Sequence, residues 1–333
     1  METKYYTKLE NRKVQCHLCP HECKITAGKS GICKVRSNLD GVLHLDVYGS
    51  LSATHFDPIE KKPLYHFHPG KEIFSLGSLG CNFKCPCCQN YHISQSGIKD
   101  FPRLLKLTIP EIIRHAKSNP LNIGVAYTYN EPFVWYEYMF DTSQEIKKAG
   151  LYNVAVSNGY INKKPLEELT LYIDAFNIDI KGFDDGIYRS FAGGKLSNIL
   201  DSLQIIKGRN CHLEITFLVV PEINDDIGQF RQMIRWIVKN LGSDVPLHIS
   251  RYFPNYKMHK QATSSGSIRN MARLASEFMS YVYVGNMTGN EFQDTVCPKC
   301  QQITIIRDGY YIGSDNLTTD GKCQSCGHKI AIV

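Results

Sequence analysis

IFSLGSLGCNFKCPCC, residues 73–88, places an apolar run directly before a knot of four cysteines. Ile73 to Leu76 reads as a short buried strand, and Gly77 and Gly80 leave room for close backbone approach in the turn behind it. That turn delivers Cys81, Cys85 and Cys88 in the spacing C-x-x-x-C-x-x-C. Three thiolates suit a cubane iron–sulfur cluster whose fourth iron is left open, much as catalytic metal sites keep a free position where structural ones are closed. Cys87 lies inside the second gap. Its use in place of Cys88 would change the spacing to C-x-x-x-C-x-C, so it reads as a bystander.

Working outward, apolar runs alternate with segments of helical period. Strands are expected at Ile73 to Leu76, Gly124 to Tyr127, Tyr152 to Val156, Ala175 to Ile180, His212 to Val219, Pro246 to Ile249 and Tyr281 to Val284. Helices are expected at Ile109 to Lys117, Val134 to Ala149, Leu166 to Leu171, Leu196 to Lys207, Ile227 to Leu241 and Ile268 to Met279. A repeated β-α unit predicts an α/β fold with parallel strands, either an open doubly wound sheet or a barrel. Pro110, Pro165 and the Asp225-Asp226 pair fall where helix starts favour a fixed φ or an acidic side chain.

The conspicuous polar residues then share one rim, at the C-terminal ends of these strands. Cys81 follows the first strand, Asn130 and Glu131 the second, and Ser157 and Asn158 the third. Asp179 and Lys181 end the fourth, and His248 and Arg251 flank the end of the sixth. Each has a bland explanation taken singly: a helix cap, an Asn-Gly turn, an ion pair, a satisfied core histidine. Their common placement, where barrels build active sites, marks them as one constellation.

The cysteine count is thirteen, and two further groups flank the central one. Cys16, Cys19, Cys23 and Cys33, with His17 and His21 among them, predict a metal site that is either closed zinc or an iron–sulfur cluster. Cys297, Cys300, Cys323 and Cys326 form two C-x-x-C knuckles around strand-like text at Ile303 to Ile306 and Tyr310 to Ile312. They predict a zinc-ribbon or rubredoxin-like module holding zinc or iron. Cys211 reads as an ordinary buried thiol. The expected division is a Cys-rich segment over 1–70, a core over 71–290 and the knuckle module over 291–333. Met1 to Val14 lacks the apolar stretch of a signal peptide and no long uncharged apolar run follows, which argues against secretion and membrane spanning and for a cytoplasmic chain. Thirty-eight Lys plus Arg against 32 Asp plus Glu leaves +6, scattered without a basic stripe, so a metal-dependent nucleic-acid binder is disfavoured despite two knuckle sets and 19 tyrosines. Walker-type and dinucleotide glycine motifs are absent from the sequence.

With its cysteine triad after a first strand, the chain resembles the radical S-adenosylmethionine (SAM) superfamily. YTYNEP (127–132), VSNGYI (156–161), FNIDIKG (176–182), LVVPEIND (218–225) and PLHISRYFP (246–254) are similar, in order, to motifs of the glycyl-radical-enzyme activases and of the AmmeMemoRadiSam radical SAM proteins. The resemblance implies a partial (β/α)6 TIM-like barrel with a [4Fe–4S] cluster on Cys81, Cys85 and Cys88. It implies SAM on the open iron, cleaved to methionine and a 5′-deoxyadenosyl radical that acts on a small molecule or a protein. Carried over, Asn130 and Glu131 meet the methionyl ammonium, and Ser157 and Asn158 lie near the SAM carboxylate and ribose. Asp179 and Lys181 match the activase Asp-x-Lys, with Lys181 neutralising the carboxylate as a point charge. His248 lies by the adenosine, and Arg251 near substrate. The same resemblance implies a flavodoxin- or ferredoxin-type electron donor and admits an activase that makes a glycyl radical on a partner polypeptide. The knuckle module suggests either a different substrate or a cap over the barrel mouth.

Overall fold

The seven apolar runs become strands of one eight-stranded sheet in a computed structural model that describes residues 1–101, 103–289 and 291–333. Residue 290, the expected end of the core, lies outside the described residues. The strands are β1 (Ala53–Pro58), β2 (Glu72–Gly77), β3 (Asn122–Tyr127), β4 (Tyr152–Ser157), β5 (Ala175–Ile180), β6 (His212–Val219), β7 (Leu247–Arg251) and β8 (Val282–Gly285). They lie side by side in chain order. β1 is antiparallel to β2, and every later pair is parallel. A doubly wound sheet reverses its order at a switch point, whereas steps in one direction with right-handed crossovers put every helix on the same face and roll the sheet up. The chain is therefore a partial barrel of six β/α units, open between β1 and β8.

Six helices wrap it: α1 (Ile109–Ser118), α2 (Tyr136–Lys148), α3 (Lys163–Leu169), α4 (Leu196–Gly208), α5 (Ile227–Asn240) and α6 (Ser265–Ser276). Local chemistry sets their starts. Thr108 and Glu111 form a capping box on α1, Asp226 accepts from Gln229 N at 2.8 Å on α5, and Ser264 accepts from Ser267 N at 3.0 Å on α6. α3 and α6 each begin three residues before the expected point, on residues outside the apolar period: Lys163 and Lys164 on α3, and Ser265, Gly266 and Ser267 on α6. β1 was not expected: ATHFDP has no apolar run, and it is held by its ladder to β2.

The N-terminal segment is woven into the barrel. Val14, Leu18, Ile25 and Val35 share a buried core with residues of β2 to β7. The buried Arg36 guanidinium makes two 2.8 Å bonds to Glu137 on α2. At the other end of the strands, residues 59–71 fold under the barrel, and the knuckle module docks on them. Arg307 donates to Tyr65 O at 2.9 Å with its guanidinium 4.4 Å over the Tyr65 ring, and Val333 N donates to His66 O at 2.9 Å. The expected cap over the mouth is corrected by this placement: the module closes the floor, because its apolar surface packs against Tyr65, Tyr281 and Tyr283 at the N-terminal ends of the strands. Among the described residues, no helix is long and apolar enough to cross a membrane.

Candidate active site at the C-terminal rim

Cys81, Cys85 and Cys88 sit on the loop between β2 and the short helix Tyr91–Ser94, each beside a hydrogen-bond donor or cation. Phe83 N and Asn158 Nδ2 point at Cys81 Sγ, at 3.3 and 3.7 Å, and Ser94 Oγ lies 3.2 Å from Cys88 Sγ. Burial pushes the Cys85 thiol up to about 12, opposed by the nearby Lys181 charge. Burial, reinforced by Glu131, pushes Cys81 well above the ordinary thiol range. Such thiols give up their protons to a metal rather than to water. Donors aimed at sulfur fit a ligand set in the thiolate state, so the trio suits a cluster with one iron left unligated by protein. Cys87 instead packs with Phe191, Val220 and Tyr252.

The loop is held from β3. Asn130 Oδ1 accepts from Ser78 N at 3.0 Å, and its Nδ2 donates to Gly80 O at 2.8 Å. Glu131 is 2% exposed and accepts three bonds, from Phe133 N (3.0 Å), Ser157 Oγ (2.8 Å) and Asn158 N (2.8 Å). Burial raises its carboxyl to about 7 against these donors. Both residues thus organise the rim turns. Asp179 and Lys181 form a 2.9 Å ion pair, with the Lys181 side chain 18% exposed. Burial works against the ammonium, but Asp179 and Cys85 hold it protonated above its ordinary value.

The structure brings these residues together and sets two apart. Arg251 donates Nε–H to Thr263 O at 2.6 Å and lies over the Phe253 ring, which ties down the 252–263 loop. That loop reaches back to the cysteine turn, where Lys257 N donates to Pro86 O at 3.0 Å. His248 is the second residue of β7, below the rim. It donates to Glu214 Oε2 at 2.6 Å, and Glu214 also accepts from His212 (2.9 Å) and from His66 N of the floor (2.7 Å). Burial opposes the Glu214 charge, but the two histidines hold its carboxyl below the usual range. Sequence reading missed Glu214 and Asn82. Asn82 joins Tyr160 O, Asn158 and, through its own carbonyl, His21 Nε2 at 2.8 Å; its position beside Cys81 was the available signal.

In the floor module, Cys297 and Cys326 Sγ lie 3.6 Å apart, and Cys300 and Cys323 Sγ 3.7 Å. A tetrahedron with bonds of about 2.3 Å has edges of about 3.8 Å, so one metal ion fits. Burial works against the Cys323 thiolate, yet the Cys326 and Ser325 N–H groups bring it to about 7.

The chain is similar to several known proteins. Residues 76–237 match the model of the radical SAM superfamily. An uncharacterized protein of Methanocaldococcus jannaschii is 40% identical over 335 residues, covering 100% of this chain and 99% of the relative. The pyruvate formate-lyase 1-activating enzyme of Escherichia coli K12 is 23% identical over 155 residues, 44% of this chain and 61% of that enzyme. The crystal structure of Streptococcus suis SuiB bound to its precursor peptide SuiA superposes with a TM-score of 0.49 at 15% identity, covering 66% of this chain and 48% of SuiB.

Proposed function

Because the chain belongs to the radical SAM superfamily, we propose that Cys81, Cys85 and Cys88 hold a [4Fe–4S] cluster whose open iron takes SAM, and that the enzyme cleaves this ligand reductively. When bound, the pair supplies the hard chemistry: one electron splits the S–C5′ bond into methionine and a 5′-deoxyadenosyl radical, which takes hydrogen from, or adds to, a substrate. The observation that carries the reading is three thiols on the first rim loop, each beside a donor or cation, within the matched region.

The chain's own residues divide the remaining work. Glu131 and Asn130 fix the turns that carry Ser157, Asn158 and Cys81. Lys181, paired with Asp179 beside Cys85, is the cation suited to a ligand carboxylate. Arg251 positions the 252–263 loop on the substrate side, and His248 holds the floor of the chamber through Glu214.

The motifs shared with the AmmeMemoRadiSam proteins support that subgroup, with a small-molecule or protein substrate and a flavodoxin- or ferredoxin-type donor. Thirteen unpaired cysteines support a reducing, cytoplasmic setting. Sulfur spacing in the floor module supports a single structural ion, zinc or iron. A second reading, glycyl-radical-enzyme activation, is favoured by the similarity to the Escherichia coli activase. Anaerobic reconstitution with iron and sulfide, followed by dithionite and SAM, should release 5′-deoxyadenosine, and Cys85→Ala should abolish it. Release by that variant, or none by the parent chain, refutes the proposal. A glycyl-radical doublet on a second polypeptide would single out the activase reading.

A further inference from the structure

The N-terminal cysteines converge on one pocket. Cys16, Cys19, Cys23 and Cys33 line it together with Arg36 and Asn82. Its size is decided by sulfur spacing. Among the described residues, the floor module is the one group of three or more Cys, His, Asp or Glu whose ligand atoms all lie within 4.8 Å of one another. The N-terminal four are set wider, as is the rim trio. A single tetrahedral ion draws four sulfurs to about 3.8 Å. A cubane keeps its ligand sulfurs further apart, because a tetrahedron of irons stands between them.

A second observation concerns charge. Arg36 is 1% exposed, and its Nε–H has no partner although both terminal nitrogens bind Glu137. A buried, unsatisfied N–H on a residue that lines the same pocket as the four cysteines is what an anionic sulfur cluster would satisfy.

We infer that Cys16, Cys19, Cys23 and Cys33 bind a second [4Fe–4S] cluster, fully ligated by protein and hydrogen-bonded by Arg36. Four cysteines leave no open iron, so this cluster binds no substrate and serves electron transfer. It touches both sides it would connect. Cys19 and Cys23 are only partly buried, while Asn82 is common to this pocket and the rim loop, with His21 Nε2 on its carbonyl. One electron from an external one-electron donor reduces the cluster, and the same electron leaves toward the rim cluster, returning it to its oxidised state. The relay role rests on the proposed SAM chemistry; the site itself does not.

The test uses the full chain. With the rim cluster removed by C81A/C85A/C88A, anaerobic reconstitution should leave about four iron and four sulfide per chain. The dithionite-reduced spin-resonance signal should ignore SAM, and adding C16S/C19S should erase it. Loss of all iron from the triple variant, or zinc at this site, overturns the inference. The unaltered chain provides a check that does not depend on variants folding. It should hold about eight cluster irons and give two reduced signals, of which one shifts with SAM. One cubane alone overturns the second site. Two cubanes that both ignore SAM refute the proposed function and leave the site standing.

Discussion

Replacing Arg36 with methionine removes the cation that ties the N-terminal segment to α2. Glu137 is 0% exposed, accepts two 2.8 Å bonds from Arg36, and takes a third from Lys4 N at 3.1 Å. Breaking one side of such a pair leaves a buried charge, at a cost of roughly 3–5 kcal/mol, whereas an apolar replacement of both partners is often neutral. R36M should therefore destabilise the chain by roughly 4 kcal/mol. R36M/E137L should recover most of that loss. The sign with pH follows from Glu137: burial pushes its carboxyl up, but Arg36 wins and holds it below the ordinary 4.5. A depressed carboxyl contributes stability that is present above 4.5 and lost as pH falls through its lower folded value. The R36M penalty should thus be full at neutral pH and narrow in acid. Anaerobic urea unfolding followed by fluorescence of the buried Trp135, two residues from Glu137, reads both effects. A penalty under about 1 kcal/mol, or a double variant worse than R36M, would refute the reasoning.

Three further outcomes are expected. Gly80 has φ +83°, and an added Cβ would lie 2.4 Å from Cys33 O, so Gly80→Ala should cost roughly 2 kcal/mol or more and lower the iron bound at the rim; unchanged urea midpoint and iron content would contradict this. Glu131, raised from 4.5 to about 7, binds its proton more tightly when folded, so its contribution is fully present below 4.5 and falls by roughly 3 kcal/mol as pH rises to 7. Glu131→Gln should flatten that slope, and unfolding curves at pH 5 and pH 8 that match the parent would count against it. Cys323→Ala should lose about one metal ion per chain and lower the melting temperature while 5′-deoxyadenosine formation survives, since the module lies under the floor; metal analysis and product chromatography check this.

The barrel was legible because β2 to β8 are apolar runs separated by helical periods, but those periods alone did not distinguish a barrel from a doubly wound sheet. That choice became visible only in strand order, which depends on pairing across the chain. β1 escaped notice because an edge strand can keep a polar face, and ATHFDP buries little. The rim positions were legible because residues that directly follow a strand can be read from sequence. His248 was placed too high: its number in the strand shows that it belongs to β7, but not that Glu214 waits below it. Glu131 shows a similar limit, since its residue type announces a carboxylate and only the fold shows three donors converging on it. The knuckle spacing predicted four converging thiols without their location at the floor, which depends on Arg307 and Val333 meeting residues 65 and 66.

The most direct test of the rim assignment uses SAM labelled with nitrogen-15 at the methionyl amine, added to the reduced, oxygen-free chain. Electron–nuclear double resonance should show that nitrogen coupled to the cluster on Cys81, Cys85 and Cys88. A cluster whose spectrum carries no coupling, and does not change when SAM is added, would contradict an open iron at this site.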